Sequence, residues 1–382
     1  MKEGYDNHDG IGLYIHIPFC KEKCKYCDFV SYANKENFMK QYIEALSKEI
    51  KRECEGKKIR SIYIGGGTPS YVSNKYWKVL KESIESLNKS RDVEFSIEAN
   101  PGTVTEEKLK LFKEIGVNRI SFGLQAWQYN LLNKLGRIHN VEEFLHSYKL
   151  ARKLGFDNIN IDLMFGIPDQ KLEDWKETLE KVVELNPEHI SCYSLIVEEG
   201  TPFYKLYEKG QLNLPNEDIE RDMYRYSIEF LQNKGYHQYE ISNFAKENKE
   251  CIHNLTYWEL GEYIGCGLAA HSFLNGYRYS NVYNIEEYIK LINEDKEIKI
   301  NIYKNLIKDN MEEFMFMGLR KINGVNIDEF YKRFHKNIYE VYGDVIMKYV
   351  NNGLIIEDQG NIFLSPTGIE ISNSIMCDFI LD

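Results

Sequence analysis

His16-Ile17-Pro18-Phe19-Cys20-Lys21-Glu22-Lys23-Cys24-Lys25-Tyr26-Cys27-Asp28-Phe29 is the stretch on which the reading of this chain turns. Its cysteines follow a C-x3-C-x2-C spacing. A cuboidal iron–sulfur cluster presents four iron corners, usually held by thiolates. Three closely spaced thiolates hold three corners and leave one iron open, and an open position on a metal is where a substrate or cofactor binds. The competing readings are a structural zinc site or unrelated buried thiols. Zinc sites commonly use four protein ligands, often as two CxxC-type pairs, and no second pair with that spacing occurs here. Cys54, Cys192, Cys251, Cys266 and Cys377 are scattered, and most are expected to be small buried apolar residues.

Outward from this loop, short β-rich runs alternate with amphipathic helical stretches between Gly12 and about Val197. Strands are expected over Leu13–Ile17, Ser61–Ile64, Val93–Glu98, Arg119–Leu124, Ile159–Phe165 and His189–Leu195. Helices are expected over Glu36–Lys51, Lys75–Leu87, Glu106–Ile115, Val141–Leu154 and Leu172–Leu185, where apolar residues such as Ile43, Leu46 and Ile50 recur at helical steps. Repeated βα units imply an α/β fold with a parallel sheet and right-handed crossovers. Six units suggest a partial (β/α)6 barrel, an open relative of the eight-unit barrel, with its chemistry at the C-terminal strand ends. The motifs agree. The cysteine loop follows the first strand, Gly65-Gly66-Gly67-Thr68-Pro69 the second, and Glu98-Ala99-Asn100-Pro101 closes the third. Gln125 ends the fourth, and Asp162 with Gly166-Ile167-Pro168 lies on or after the fifth.

Residues 1–240 are assigned to this core, residues 241–300 to a connecting region, and residues 301–382 to a small C-terminal α+β module. A helix near Asn216–Lys234 leads to a strand-like Tyr236–Ile241 and a glycine- and aromatic-rich stretch, Tyr257–Tyr279. Helical runs at Met311–Lys321, Asp328–Phe334 and Ile338–Val350 precede a β-hairpin around Asp358-Gln359-Gly360, a winged-helix-like order.

Composition limits what this architecture serves. The 382 residues carry a net charge of −11, with 28% charged and 43% apolar residues, ordinary for a soluble globular protein. The acidic balance argues against sequence-independent nucleic-acid binding, which neutralises phosphates with Lys and Arg. No apolar run is long enough to span a membrane. The N-terminus Met1-Lys2-Glu3-Gly4-Tyr5-Asp6-Asn7-His8-Asp9 lacks the apolar core of a signal peptide. A cytoplasmic location, where thiols stay reduced, is expected.

Several residues at the rim have chemistry to offer. Glycines at 65–67 let backbone approach a ligand closely, or simply make a tight turn. Glu98 and Asp162 can accept hydrogen bonds from ribose hydroxyls or an ammonium, or act as helix caps or surface acids. Arg137 offers a planar fork to a carboxylate, or a surface ion pair.

The cysteine spacing, with an aromatic before Cys27, and the Gly65–Pro69 run resemble the radical S-adenosylmethionine (SAM) superfamily. The resemblance implies a [4Fe-4S] cluster on Cys20, Cys24 and Cys27, whose free iron takes the amino and carboxylate groups of SAM. Tyr14-x-His16-Ile-Pro-Phe-Cys20, Ser121-Phe-Gly-Leu-Gln125 and Asp162-Leu-Met-Phe-Gly166-Ile-Pro168 extend it to the oxygen-independent coproporphyrinogen III oxidase group over nearly the whole chain. That group implies one or two SAM molecules contacting Tyr14, Tyr26, Gly66, Gly67, Thr68, Glu98, Gln125, Arg137 and Asp162. Two departures stand out. The oxidases resemble C-x3-C-x2-C-x-C where this chain has Phe29, and they carry a longer N-terminal extension. The chain is thereby more similar to the HemW heme-chaperone family. His253-Asn254-x-x-Tyr257-Trp258 resembles the heme-binding motif associated with that family, with His253 the implied ligand, His271 its competitor and His16 assigned to packing near the cluster. The implied partners are heme, SAM, heme-accepting respiratory proteins and a second copy in a homodimer. Radical SAM decarboxylation of a porphyrinogen is the enzymatic alternative, and action on tRNA is disfavoured by charge.

Overall fold

The computed structural model describes residues 10–381, so the stretch read for a signal peptide, Met1–Asp9, lies outside the described residues. Six parallel strands run in sequence order across one open sheet: β1 (Ile11–Ile17), β2 (Lys58–Gly66), β3 (Asn88–Ala99), β4 (Arg119–Gln125), β5 (Ile159–Phe165) and β6 (His189–Ser194). One face of these strands is apolar and covered by helices, whereas the other carries buried polar residues such as Ser61, Ser96, Arg119, Ser121 and Asn160. Ile15, Ile62, Ile64, Ile97, Ile120 and Ile161 are all fully buried.

The crossover helices are Met39–Glu53, Asn74–Glu85, Glu106–Ile115, Val141–Lys153 and Leu172–Glu184. Their boundaries follow local chemistry. Thr105 accepts a hydrogen bond from Lys108 N at the start of Glu106–Ile115, and Gly116, with φ of 104°, ends it. Asn140 and Glu143 form a reciprocal capping box ahead of Val141–Lys153.

Residues 241–300, read as a connector, are woven into the same sheet. β7 (His237–Glu240) and β8 (Asn243–Ala245) extend it antiparallel beyond β6. At the other edge β9 (Tyr263–Cys266) lies parallel to β1, followed by antiparallel β10 (His271–Leu274), β11 (Tyr277–Asn281) and β12 (Lys299–Lys304). The C-terminal module packs its own apolar core, including Phe314, Phe330, Tyr342 and Phe379, and carries the expected hairpin, Ile355–Asp358 with Asn361–Leu364. Cys54, Cys192, Cys251 and Cys266 are buried, whereas Cys377 is exposed. No helix is long and apolar enough to cross a membrane among the described residues.

Two buried polar ties fix the rim. At the end of β1 the His16 ring is engaged on both sides: Nε2 donates to the Val30 carbonyl at 2.8 Å, leaving Nδ1 to accept from the Tyr14 hydroxyl at 2.9 Å. Burial holds His16 down at about 4, so the ring stays neutral. Gly66, with φ of 109°, passes directly over this imidazole, where any Cβ would collide with it. The second tie is Glu49, on the first helix. Its carboxylate accepts from Gly267 N at 2.8 Å, Asn281 Nδ2 at 2.7 Å and the Tyr288 hydroxyl, joining that helix to the turn after β9.

Gly66→Ala must displace His16 and adopt a left-handed backbone, so chemical denaturation should show a loss of about 1–3 kcal/mol. Glu49→Ala strands three buried donors and should cost about 2–4 kcal/mol in the same measurement. Burial pushes the Glu49 carboxyl from its ordinary 4.5 up to about 7, against the three donors that favour its charged form. A group raised on folding binds its proton more tightly in the native state. Its contribution is therefore complete below pH 4.5 and is lost as pH rises through about 7. Stability measured across that window should fall with rising pH, and Glu49→Gln should flatten the slope.

Candidate functional site

The cysteine loop that follows β1 and the C-terminal parts of β2 to β6 surround a cavity of about 380 Å3. Cys20, Cys24 and Cys27 all line it. Their loop is clamped from outside by two short helices that the sequence reading omitted, Tyr129–Leu135 and Pro202–Tyr207. Lys25 N donates to Leu135 O at 3.0 Å, and Phe203 N donates to Lys25 O at 3.1 Å. The sulfurs have polar neighbours: Thr68 Oγ1 lies 3.5 Å from Cys20 Sγ, and Arg137 Nη1 lies 3.4 Å from Cys24 Sγ. Burial pushes both the Cys20 and Cys27 thiols up, Cys27 to about 11. Among the described residues no three His, Cys, Asp or Glu side chains converge on a single-ion site. A cubane binds each thiolate at a separate iron corner, so three cysteines around one cavity fit it better than they fit zinc.

Tyr26, Gly66, Gly67, Thr68, Glu98, Gln125, Arg137 and Asp162 line the same cavity. A Cβ at Gly67 would meet Cys20 Sγ at 3.0 Å and the carbonyls of Ile17 and Phe19 at 2.9 Å, so only glycine fits against the cysteine loop. Glu98 accepts from Gly66 N and the Tyr63 hydroxyl, both at 3.1 Å, and thereby holds the glycine-rich turn in shape. Burial, with the Asp162 charge adding to it, pushes Glu98 up to about 7. Asp162 is fixed by Ser121 Oγ and Asn160 Nδ2, each at 2.8 Å. Arg137 Nη2 donates to the Gly123 carbonyl at 2.7 Å and to Asn100 Oδ1. Gln125 adopts a left-handed backbone with φ of 72° at the strand end, and its buried Oε1 has no hydrogen-bond partner among the described residues. Backbone held in that region often marks a ligand site. A buried acceptor without a donor, beside two acids and a guanidinium, suits a ligand with ammonium and hydroxyl groups.

Tyr14 and His253 are elsewhere. Tyr14 lines a second cavity and spends its hydroxyl on His16. His253 lines neither cavity and is 1% exposed. Its Nδ1 pairs with Ser61 Oγ at 2.9 Å and its Nε2 with the Tyr257 hydroxyl at 2.8 Å. Burial holds this ring down at about 3, in the neutral form. Both ring nitrogens of His253, the implied heme ligand, are thus engaged, and the ring lies within the core. Its helix, Ile252–Trp258, is anchored by Glu94, which accepts from the backbone N–H groups of Ile252 and His253 at 3.1 Å.

The second cavity, of about 500 Å3, was not foreseen from the sequence. Tyr257 and Trp258 from the motif line it, together with His16, His271 and Met317. Phe29 is 63% exposed and lines both cavities. Asn100, Ser121, Tyr63 and Tyr193 of the first cavity were also missed. Asn100 had a signal, since it sits in the quoted Glu98–Pro101 run.

Known proteins align with this arrangement. A profile for the "Radical SAM superfamily" matches residues 14–182, and one for the "HemN C-terminal domain" matches residues 308–371. The solved structure of coproporphyrinogen III oxidase (HemN) from Escherichia coli superposes with a TM-score of 0.85, covering 97% of this chain and 90% of that one. Its sequence identity is 22%, so it establishes the fold, a radical SAM α/β core with a C-terminal HemN-type domain. "Heme chaperone HemW" of Bacillus subtilis is 39% identical over 96% of this chain and 98% of its own length. "Heme chaperone HemW" of Lactococcus lactis is also 39% identical, over 97% of each chain. With that identity across nearly its full length, the chain belongs to the HemW heme-chaperone family of radical SAM proteins.

Proposed function

We propose that this chain carries heme and delivers it to respiratory hemoproteins, with a [4Fe-4S] cluster on Cys20, Cys24 and Cys27 and SAM bound beside it. The observation that carries the reading is the single cavity in which the three cysteines meet the polar strand ends. A cluster bound there supplies an iron with one open coordination position. The chain's own residues do the rest. Gly66 and Gly67 let backbone approach the ligand, Glu98 and Asp162 accept from its ammonium or ribose hydroxyls, and Arg137 holds positive charge next to Cys24. Phe29, standing where the oxidases have a further cysteine, favours carriage over porphyrinogen decarboxylation.

Anaerobic reconstitution tests this reading. Wild type should take up iron and sulfide, bind heme and pass it to an apo-hemoprotein without decarboxylating coproporphyrinogen, while Cys24→Ser should fail to assemble the cluster. Rapid decarboxylation, or stoichiometric zinc in place of iron and sulfide, would overturn it. A second measurement concerns Glu98, whose carboxyl is pushed up to about 7 by burial. SAM is cationic, so its affinity, measured by equilibrium dialysis, should strengthen as pH rises through about 7, and Glu98→Gln should remove most of that dependence.

A further inference from the structure

The second cavity brings together what a flat iron macrocycle needs. Its walls include Tyr257, Trp258, Tyr263 and Phe29, which offer aromatic surface. Into the same space, β10 contributes His271, an exposed residue whose ring makes no hydrogen bond among the described residues. The helix Ile307–Gly318 contributes the thioether of Met317 to the lining. His and Met are both established axial ligands of heme iron. Arg278 brings a guanidinium suited to propionate carboxylates. Its Nε and Nη2 are held by Glu313 at 2.6 Å, which fixes the group in place while other N–H groups remain for a ligand. Trp258 adds a buried indole N–H that has no hydrogen-bond partner among the described residues.

We propose that heme occupies this second cavity with the His271 imidazole as its axial ligand, and that His253 is a positioning residue that braces Tyr257 in the cavity wall. This rests on the heme-carrying reading above and names the site that serves it. Burial and the Arg278 charge hold His271 below its ordinary value, which favours the neutral, metal-binding form. His253 would have to surrender two hydrogen bonds and leave the core to reach iron. Asp28, Phe29 and Val30, which directly follow Cys27, also line the cavity, so the cluster loop forms part of the heme wall.

The test is a titration of ferric heme into the full chain, followed by its Soret band and electron paramagnetic resonance signal. Loss of an outer-shell partner of a metal ligand commonly costs about 10–100-fold in affinity. Loss of the ligand itself, in His271→Ala, should therefore weaken binding by at least about tenfold and change the spectrum. His253→Gln, checked for folding by circular dichroism, should keep the wild-type spectrum. Added imidazole should restore that spectrum to His271→Gly. An unchanged spectrum and affinity in His271→Ala would overturn the site, as would loss of the wild-type spectrum in a folded His253→Gln. Failure of wild type to bind heme at all would instead overturn the heme-carrying reading, and the site with it.

Discussion

The carbonyl of Val30 accepts a hydrogen bond from a neutral ring buried at the end of the first strand, and the rest of the site is arranged around that contact. The same ring occupies the space beneath Gly66 and takes the hydroxyl of Tyr14. One imidazole thus ties the exit of the cysteine loop to the glycine-rich turn and to the strand that supports both. Each neighbour is fixed in its turn. Gly67 fits only without a side chain, and Glu98 accepts a hydrogen bond from Gly66 N. Binding groups located this way lose little freedom when a ligand arrives, which is the physical meaning of preorganisation.

Electrostatics follows from burial. Burial and then the Asp162 charge raise the proton affinity of Glu98, and the hydrogen bonds from the Tyr63 hydroxyl and Gly66 N counter them. Buried charge without compensation is costly. A cationic ligand between these groups would relieve the acids, so an arrangement that burdens the free protein is one that favours occupancy.

Much of this was legible in the sequence. The strand Ile159–Phe165 and the helix Glu106–Ile115 have the expected bounds, because βα alternation and capping residues leave local marks. Eight of the nine residues carried over for SAM, from Tyr26 to Asp162, share a cavity, because strand ends in such folds converge on one rim. Tyr129–Leu135 and Pro202–Tyr207 escaped notice because two turns of helix are too short to display a period. The strands of residues 241–300 are short and interrupted by glycine, and so resembled a connector. His253 shows a different gap. Residue types place a histidine among aromatics but do not say which way the ring faces, although its four-residue spacing from Tyr257 on a helix was a hint that the two could bond.

The pairing of β9 beside β1 bears on how the molecule is made. Leu13 must find Ile264, a partner from far along the chain, and until it does the first strand has an open flank. On the ribosome, the amino-terminal segment emerges long before its second neighbour is synthesised. Contacts of such large sequence separation form slowly, because loop closure is paid for before pairing rewards it. Completion of the sheet is therefore a late event in biogenesis. A nascent chain halted short of Tyr263 would present that unprotected flank to other chains, where association rather than folding would be its fate.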